Sequence, residues 1–304
     1  MVSGKSVKSA FLLVYRAYAA VKKSVIDRVL LRSPRAREQF DRAKHYVRGR
    51  FFPSRQLWLQ VQSGFAQGMW MYLRIPEEAG FWRSDHEPEV QAALSAIARA
   101  ADVVYDVGAH IGSLALGAAR LVGVNGKVIA FDGDPENVAR LQENAARNGL
   151  QTTLQIVHAA VWSHTSQHGI GFRRARAGTS QGGVEALGQR PVLADGELIQ
   201  VPAITLDSFV AAGGPPPQVI KIDVEGGECE VLRGAANLLR THRPALIVEV
   251  HHEQADEQIR SLLEELRYAT DWKIPKENFP RTVIAWPTDY DPRLRASSSS
   301  SLQG

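Results

Sequence analysis

Residues 103–112 read Val103-Val104-Tyr105-Asp106-Val107-Gly108-Ala109-His110-Ile111-Gly112, and they indicate a buried strand that runs into a glycine turn. A short apolar run without alternation is typical of a strand that is covered on both faces. Asp106 closes that strand, and Gly108 and Gly112 allow the backbone to turn sharply and to approach a ligand closely. This stretch therefore predicts the first strand, turn and helix of an open parallel sheet, with a ligand site beyond the carboxyl end of the strand.

The chain that follows this unit alternates between strand-like and helix-like segments. The predicted strands are 103–106, 127–132, 154–158, 218–223, 245–250 and 282–286, and the predicted helices are 89–100, 113–122, 135–148, 206–211, 228–240 and 256–268. Residues 163–203 are rich in Gly, Arg and Gln, which predicts a β-hairpin or an insertion. Strands that alternate with helices at this spacing predict an α/β fold, a Rossmann-like sheet with helices on both faces.

The amino-terminal part of the chain differs from the rest in charge. Residues 1–55 hold 14 Lys and Arg against 3 Asp and Glu, whereas the remainder holds 22 against 29. Apolar residues recur at helical spacing across 5–50, which predicts a basic helical N-terminal extension. Such a helix can lie on an anionic membrane, pack on the main domain or contact a second subunit, and the sequence does not choose among these partners.

Two features bear on the compartment. No run reaches the roughly 18 apolar residues that would span a bilayer, and Lys22 and Lys23 follow the apolar residues 10–21 where a signal peptide would have small residues. The single cysteine, Cys229, excludes an intrachain disulfide and fits a reducing compartment. We therefore expect a cytoplasmic protein, with the inner face of the membrane as a second location for the basic helix.

Acidic residues stand at the ends of the first two predicted strands. A carboxylate at Asp106 would repel a pyrophosphate and attract an ammonium, and the turn after it has two glycines rather than the three of the dinucleotide fingerprint. S-adenosylmethionine carries an ammonium and a sulfonium and has no phosphate, so it suits this turn better than NAD. Asp132 can accept hydrogen bonds from both ribose hydroxyls, and Asp134 is an alternative that could instead cap the next helix.

Four stretches together resemble the FkbM family of methyltransferases. They are residues 103–112, Ala130-Phe131-Asp132-Gly133-Asp134-Pro135, Thr205-Leu206-Asp207-Ser208-Phe209, and Ile220-Lys221-Ile222-Asp223-Val224-Glu225-Gly226-Gly227-Glu228-Cys229-Glu230-Val231-Leu232-Arg233-Gly234-Ala235. The run Ile-Lys-Ile-Asp-Val-Glu-Gly is the most specific part of a resemblance that covers residues 90–270. The chain departs from the family pattern at His110, where Asn is usual, and at Asp132-Gly133, where Glu-Pro is usual.

The resemblance implies a class I fold, S-adenosylmethionine as the methyl donor, and O-methylation of a hydroxyl on a sugar, a polyketide or another small metabolite. By position, Asp106, Gly108 and Gly112 would hold the amino-acid end of the cofactor, Asp132 would hold its ribose, and residues 158–161 would border its adenine. The predicted cofactor-binding set is Asp106, Gly108, His110, Gly112, Asp132, His158, Ala159 and Asp223. The predicted domains are 1–55, the basic extension; 56–89, a cover on the substrate side; 90–290, the methyltransferase domain; and 291–304, a disordered tail.

Methylation of a hydroxyl needs a group that accepts the hydroxyl proton. Asp223 and Glu225, at the end of the fourth predicted strand, and His110 are the candidates for catalysis. His251 and His252, which follow the fifth predicted strand, are further candidate bases because imidazole titrates near neutral pH.

Two alternatives stay open for residues of this region. Glu225 could cap the next helix or pair with Lys221 instead of taking part in catalysis. Asp223, Glu249 and His251 are residue types that bind Mg²⁺ or Mn²⁺, but their spacing is not diagnostic and we expect no metal.

Three other functional classes compete with the methyltransferase. A nicotinamide-dependent oxidoreductase would have three glycines and no carboxylate after the first strand, and a nucleic-acid methyltransferase would not be expected to have the acidic run 223–226 where it approaches phosphate. A catalytically degenerate protein that keeps the fold and serves as a peripheral membrane or scaffold module remains the alternative. We expect a small hydroxylated acceptor and no nucleic-acid partner, and the sequence leaves homo-oligomer formation open.

Overall fold

The computed structural model describes residues 55–174, 183–184, 197–272 and 279–289. The chain divides into two compact units, one of residues 1–57 and 74–79 and the other of residues 58–73 and 80–304. The first unit is described only at 55–57 and 74–79, and the core and the site below belong to the second. The predicted helix across 5–50 and the predicted disordered tail lie outside the described residues.

The elements alternate as the sequence predicts. In chain order they are β1 (Arg55–Gln60), β2 (Trp70–Ile75), α1 (Ala79–Arg83), α2 (Pro88–Ile97), β3 (Val103–Val107), α3 (Ser113–Val122), β4 (Lys127–Asp132), α4 (Pro135–Arg147), β5 (Leu154–His158), β6 (Ala160–Val161), β7 (Ser166–Arg173), β8 (Gly183–Val184), β9 (Leu198–Ile204), α5 (Leu206–Ala211), β10 (Val219–Ile222), α6 (Glu228–Arg233), α7 (Ala236–Thr241), β11 (Ala245–Val250), α8 (Glu253–Glu265), β12 (Tyr268–Trp272) and β13 (Arg281–Pro287). Among the described residues, every helix is too short or too polar to cross a lipid bilayer.

The main sheet has seven strands in the order β12-β13-β11-β10-β3-β4-β5. Strands β3, β4, β5, β10 and β11 are parallel to their neighbours among themselves, and β13 runs antiparallel to both β11 and β12. After β3 the chain forms β4 and β5 on one side of that strand, and it later forms β10 on the other side. The strand order therefore reverses between β3 and β10, where open α/β sheets bind their ligands. The α/β, Rossmann-like fold expected from the sequence is confirmed.

An aromatic cluster fixes β3 within the core. Tyr105 and Phe131, on neighbouring strands, pack edge to face at 5.5 Å, and Phe209 of α5 packs on both rings at 5.8 and 5.2 Å. Tyr105 is fully buried, and its hydroxyl donates to the carbonyl of Pro215 at 2.6 Å. Burying rings of this size contributes on the order of 2–3 kcal/mol each. These contacts therefore hold the end of β3 at which the site lies firmly in the core.

A second sheet, ordered β6-β9-β7-β8, forms within the segment predicted as a hairpin or insertion. Strands β7 and β9 pair antiparallel, as a hairpin requires. Arg174 follows β7 and donates to Asp134 at 3.0 Å, to Glu136 at 2.8 Å and to Glu197 at 3.2 Å. One guanidinium thus fastens the insertion to the start of α4.

The structure corrects three of the predicted helices. The helix predicted at 228–240 is two helices, α6 and α7, which are separated by Gly234 and Ala235. A Cβ on Gly234 would lie 2.1 Å from the carbonyl oxygen of Trp162. The helix predicted at 256–268 begins at Glu253, since the side chain of His252 accepts from the Ala255 N–H and caps it earlier. That helix ends at Glu265, and residues 268–272 form β12, a strand that the sequence reasoning missed. The helix predicted at 89–100 ends at Ile97.

Asn144 of α4 supports the turn after β3. It is fully buried, its Oδ1 accepts from the Tyr72 N–H at 2.8 Å, and its Nδ2 donates to the Ile111 carbonyl at 2.9 Å. Asn144→Ala is expected to lower the free energy of unfolding by about 2–3 kcal/mol, because two backbone groups lose their partner.

Denaturant unfolding would measure this loss, and Gln142→Ala, on the exposed face of the same helix, is the matched control that should change stability by less than about 0.5 kcal/mol. Equal midpoints for the two variants would contradict the assigned role of Asn144.

Candidate active site

A pocket lies beyond the carboxyl ends of β3, β4 and β10, where the strand order reverses. Its wall is formed by the turns after these strands, by residues 159–162, by Phe172 and Val184 of the second sheet, and by the segment that contains Phe81 and Glu87. The pocket therefore occupies the edge of the sheet at which the sequence predicted the ligand site.

Seven of the nine predicted site residues line this pocket. They are Asp106, Gly108, His110, Asp132, Ala159, Asp223 and Glu225. Gly112 lies behind the wall, where a Cβ would come within 2.0 Å of Leu141 Cδ1, so its smallness serves packing between α3 and α4. His158 also lies outside the lining, and its Nε2 is 3.1 Å from the carbonyl oxygen of Gly133.

Gly108 brings two of the turns into direct contact. Its φ is +78°, and a Cβ at this position would lie 1.8 Å from the carbonyl oxygen of Asp223. A side chain here would both strain the backbone and separate β3 from β10. The glycine is therefore required by the close approach of two main chains, which the sequence alone could not show.

Asp132 joins the turns after β3 and β4. One of its oxygens accepts from the His110 N–H at 2.7 Å, and the other accepts from the Asp134 N–H at 2.8 Å and from Asn137 Nδ2 at 3.3 Å. Burial raises the pKa of Asp132 to about 7, against the effect of these hydrogen bonds. A carboxylate has about four acceptor positions, so about one stays available to a ligand hydroxyl.

His110 takes part in this connection through its backbone. Its φ is +50°, a conformation in which Asn, Asp and His are enriched among non-glycine residues. His therefore preserves the turn at a position where the family usually has Asn. The ring of His110 lies 5.4 Å from that of Phe81 at the edge of the pocket.

Lys221 is the buried cation of the site. Its side chain is 4% exposed, and its Nζ lies 3.2 Å from the Gly108 carbonyl oxygen, 3.3 Å from Asp223 Oδ2 and 3.4 Å from Asp106 Oδ1. Burial alone would lower the pKa of Lys221, but Asp223 and Asp106 outweigh burial and raise it. Lys221 is therefore charged, and it holds the ends of β3 and β10 together.

Asp106 and Glu87 present carboxylates to the pocket. Asp106 is 2% exposed, neither of its oxygens has a hydrogen-bond partner among the described residues, and burial raises its pKa. Glu87 follows His86, with which it forms an ion pair. Burial would raise the pKa of Glu87, but the hydrogen bond from His86 and the charge of Lys221 lower it to about 2.

His251 lies among three carboxylates. Its Nδ1 is 2.9 Å from Glu228 Oε1, and its Nε2 is 3.5 Å from Asp223 Oδ1 and 3.4 Å from Glu225 Oε2. Burial alone would lower the pKa of His251, but Glu228, Asp223 and Glu225 raise it to about 10. Burial raises the pKa of Glu225 to about 7, although His251 opposes this shift. The imidazole is thus a cation at neutral pH, whereas Glu225 titrates there.

Two groups of three residues have potential metal-binding atoms within 4.8 Å of one another: Asp223, Glu225 and His251, and Glu87, Asp223 and Glu249. The set suggested by the sequence, Asp223, Glu249 and His251, differs from both. Asp223 contacts the ammonium of Lys221, and His251 contacts both carboxylates of the first group. Lys221 and His251 thus already pair with the carboxylates of the first group.

Lys221, Glu87 and Glu228 belong to the site but were not predicted from the sequence. Lys221 has a signal in the sequence, since a lysine inside the apolar strand Val-Ile-Lys-Ile must find a buried partner. Glu87 and Glu228 have none, because the cations of the site that act on them, Lys221 and His251, come from distant parts of the chain. His252, predicted as a candidate base, caps α8 through its Nδ1.

Comparison with known proteins identifies relatives of the chain. The family model of the methyltransferase FkbM domain matches residues 106–270. The hexuronic acid methyltransferase AglP of Haloferax volcanii is 29% identical over 186 residues, which cover 61% of this chain and 71% of that protein.

Solved structures with similar folds include two methyltransferases. The methyltransferase FkbM from Methylobacillus flagellatus KT matches with 18% identity and a TM-score of 0.43, over 61% of this chain and 43% of that one, so the chain spans less than half of its length. The SAM-dependent O-methyltransferase from Thermotoga maritima matches with 12% identity and a TM-score of 0.39, over 67% of this chain and 66% of that one.

The contact at Gly108 predicts a specific loss of stability. Gly108→Ala should destabilise the protein more than Gly149→Ala, because both glycines have positive φ (+78° and +69°) but a Cβ on Gly149 meets nothing within 4 Å. The strain of φ alone costs about 1–2 kcal/mol, and only Gly108→Ala adds the collision with Asp223. Thermal unfolding of both variants measures the difference, and equal losses would disprove the close approach.

Removal of the buried ammonium is expected to be costly near neutral pH. Lys221→Met should lower the free energy of unfolding at pH 7.5 by about 3–5 kcal/mol, because Asp106 and Asp223 lose their shared cation. The folded-state pKa of each unpaired carboxylate would rise, so the deficit should shrink as pH falls and protonation removes the buried charge.

The measurement is denaturant unfolding at pH 7.5 and pH 5. Lys127→Met serves as the control, since Lys127 only donates to the Thr152 carbonyl at the surface. A deficit that is the same at both pH values would refute the electrostatic role of Lys221.

Proposed function

Because the chain belongs to the FkbM methyltransferase family, we propose that it transfers a methyl group from S-adenosylmethionine to a hydroxyl of a sugar, a polyketide or another small metabolite. The observation that carries this proposal is the pocket at the reversal of strand order, where carboxylates from the ends of β3 and β10 meet. A sugar is the favoured acceptor because the relative AglP is named for its action on hexuronic acid.

The residues present fit S-adenosylmethionine by charge. Asp106 is buried and lines the pocket, and apart from the ion pair of its Oδ1 with Lys221, neither of its oxygens accepts a hydrogen bond among the described residues. An ammonium is the group that such a carboxylate attracts most strongly in a site of low dielectric. Asp106, with Glu87 near it, would therefore hold the amino-acid end of the cofactor, whereas a pyrophosphate would be repelled.

The ribose and adenine would lie towards β4 and β5. Asp132 would accept from a ribose hydroxyl with the acceptor position that its backbone partners leave open. Ala159 is 3% exposed and lines the pocket next to β5, where a flat ring could lie. The roles predicted for His158 and Gly112 would then be indirect, since neither lines the pocket.

When bound, the cofactor supplies a methyl group on a sulfonium, which is open to attack by a hydroxyl in line with the leaving sulfur. Asp223 and Glu225 are the groups that would accept the hydroxyl proton, and Glu225, with a pKa of about 7, is the better matched to neutral pH. His251 is charged at this pH and has no free lone pair, so it would orient these carboxylates rather than act as the base. His110 stays a predicted contributor through its place on the wall.

The wall favours a neutral acceptor. Asp223, Glu87 and Glu249 have carboxylate oxygens within 4.8 Å of one another. Burial, together with Asp223 and Glu87, raises the pKa of Glu249 to about 7, which reflects this crowding of negative charge. Sugar hydroxyls can donate to these oxygens, whereas the carboxylate of an acidic sugar would be repelled. We therefore propose neutral hydroxylated acceptors in preference to uronic acids.

Calorimetry with S-adenosylmethionine and S-adenosylhomocysteine tests the cofactor first. We expect micromolar binding for the wild type and at least about tenfold weaker binding of S-adenosylmethionine for Asp106→Asn, because a charge-assisted contact contributes about 1.5–3 kcal/mol. Glu257→Gln, on the exposed face of α8, is the control that should bind normally.

A mass-spectrometric screen of neutral and acidic sugars then identifies the acceptor. Folded protein that binds neither cofactor would refute the proposed function and support the catalytically degenerate scaffold. Binding with methylation of uronic acids alone would refute the preference for a neutral acceptor.

A further inference from the structure

Glu228 is a fully buried carboxylate at the start of α6. Its side chain is 0% exposed, and its Oε1 accepts from the Gly226 N–H at 2.9 Å and lies 2.9 Å from His251 Nδ1. Its other oxygen has no hydrogen-bond partner among the described residues. A buried carboxylate is costly unless it is paired, and the charged ring of His251 is the cation that it contacts. The two residues thus form one electrostatic unit.

This unit determines which way the imidazole faces. With Nδ1–H directed at Glu228, the opposite nitrogen, Nε2, points between Asp223 and Glu225. A histidine that donates one ring N–H to a carboxylate has its tautomer and orientation fixed by that bond. In its charged form, the ring therefore presents a second N–H to the two carboxylates that border the reacting hydroxyl in the proposed reaction.

Glu228 also holds the loop that carries Glu225. Glu225 and Gly226 both have positive φ, at +55° and +106°, and the hydrogen bond from the Gly226 N–H to Glu228 closes this turn. Glu228 thus contacts both the turn that carries Glu225 and the ring of His251, which faces Glu225. It lies behind His251 and is absent from the pocket wall, so it acts through other groups.

We propose that Glu228 is a positioning residue that holds the ring of His251 against Asp223 and Glu225, so that these proton-accepting carboxylates stay in place. This inference rests on the proposed function, because it assigns a role in the same methyl transfer. Glu228 lies outside the pocket, and its charge would set the pH range of the reaction.

The sign of the effect follows from the surrounding charges. Besides Asp223 and Glu228, the groups around Glu225 and His251 are Glu87, Glu249 and Lys221. Burial raises the pKa of Glu225, and His251 is the opposing cation. The charge of Glu228 also raises the pKa of Glu225, but by less than His251 lowers it. Loss of both charges, that of Glu228 and that of His251, would therefore still raise the pKa of Glu225. A base works only when deprotonated, so activity would then fail at a higher pH than in the wild type.

Glu228→Gln is the most direct test. The amide oxygen of Gln can still accept from the Gly226 N–H, so the turn is retained while the negative charge is lost. We expect the acidic limb of the kcat/KM profile to move up by about one pH unit, with about a tenfold loss in kcat/KM below that limb. The dissociation constant for S-adenosylhomocysteine should change less than about twofold.

Two further variants distinguish positioning from simple loss of structure. Glu230→Gln makes the same change two residues along α6, where Glu230 pairs with Arg233 at the surface, and it should leave the profile unchanged. His251→Gln should move the acidic limb in the same direction as Glu228→Gln. The double variant should add little to either single change, because both act through one unit.

Several outcomes would overturn the inference. An acidic limb of Glu228→Gln that superimposes on that of the wild type would do so, as would a loss of equal size at every pH or full additivity with His251→Gln. If Glu228→Gln fails to fold, an unchanged acidic limb in His251→Gln overturns the inference in its place. Failure of the proposed function would differ, since wild-type protein would then neither bind the cofactor nor methylate any acceptor.

Discussion

The ammonium of Lys221 is the interaction on which the site depends. It lies within 3.4 Å of oxygen atoms from Asp106, Asp223 and Gly108, which belong to the ends of two adjacent parallel strands. Two carboxylates brought this close inside a protein repel one another strongly. One shared cation offsets this repulsion, and a lysine can supply it because its long side chain reaches the strand ends from the third position of β10.

The same constraint explains why the turns lie so close together. Once β3 and β10 are joined at their ends, Gly108 must pass against the carbonyl of Asp223, and only glycine fits there. The turn after β3 is then fixed on its other side by Asp132, which accepts from the backbone of His110. The pocket is thus built from main-chain contacts and buried charges.

Much of this arrangement could be predicted from particular residues. Asp106 and Asp223 close apolar runs that predict parallel strands, and the carboxyl ends of parallel strands lie at one edge of a sheet, so both were expected at the ligand site. The partners of Asp132 could not be predicted, because the donors that a turn presents depend on its dihedral angles. Glu87 was missed since it precedes the first strand of the main sheet, and its left-handed backbone, with φ of +45°, has no sequence signal.

The pairing of Glu228 with His251 could not be predicted from the sequence, for a related reason. The two residues are 23 positions apart and follow different strands, so their contact depends on how β10 and β11 are placed side by side. From its ordinary pKa, His251 was expected to take a proton near neutral pH. The carboxylates around it change that property, so the same residue becomes a fixed cation.

The balance of charge in the pocket is consistent with the proposed transfer of a methyl group from a sulfonium to a hydroxyl. Five carboxylates, those of Asp106, Glu87, Asp223, Glu225 and Glu249, face the cations of Lys221 and His251, and the surplus is negative. A cationic methyl donor lowers the energy of that surplus, and its charge disappears when the methyl group is transferred. In the proposed reaction the hydroxyl proton would pass to a carboxylate, which would remove one negative charge. The donor would lose a positive charge as the wall loses a negative one, so the net charge of the pocket would stay the same through the transfer.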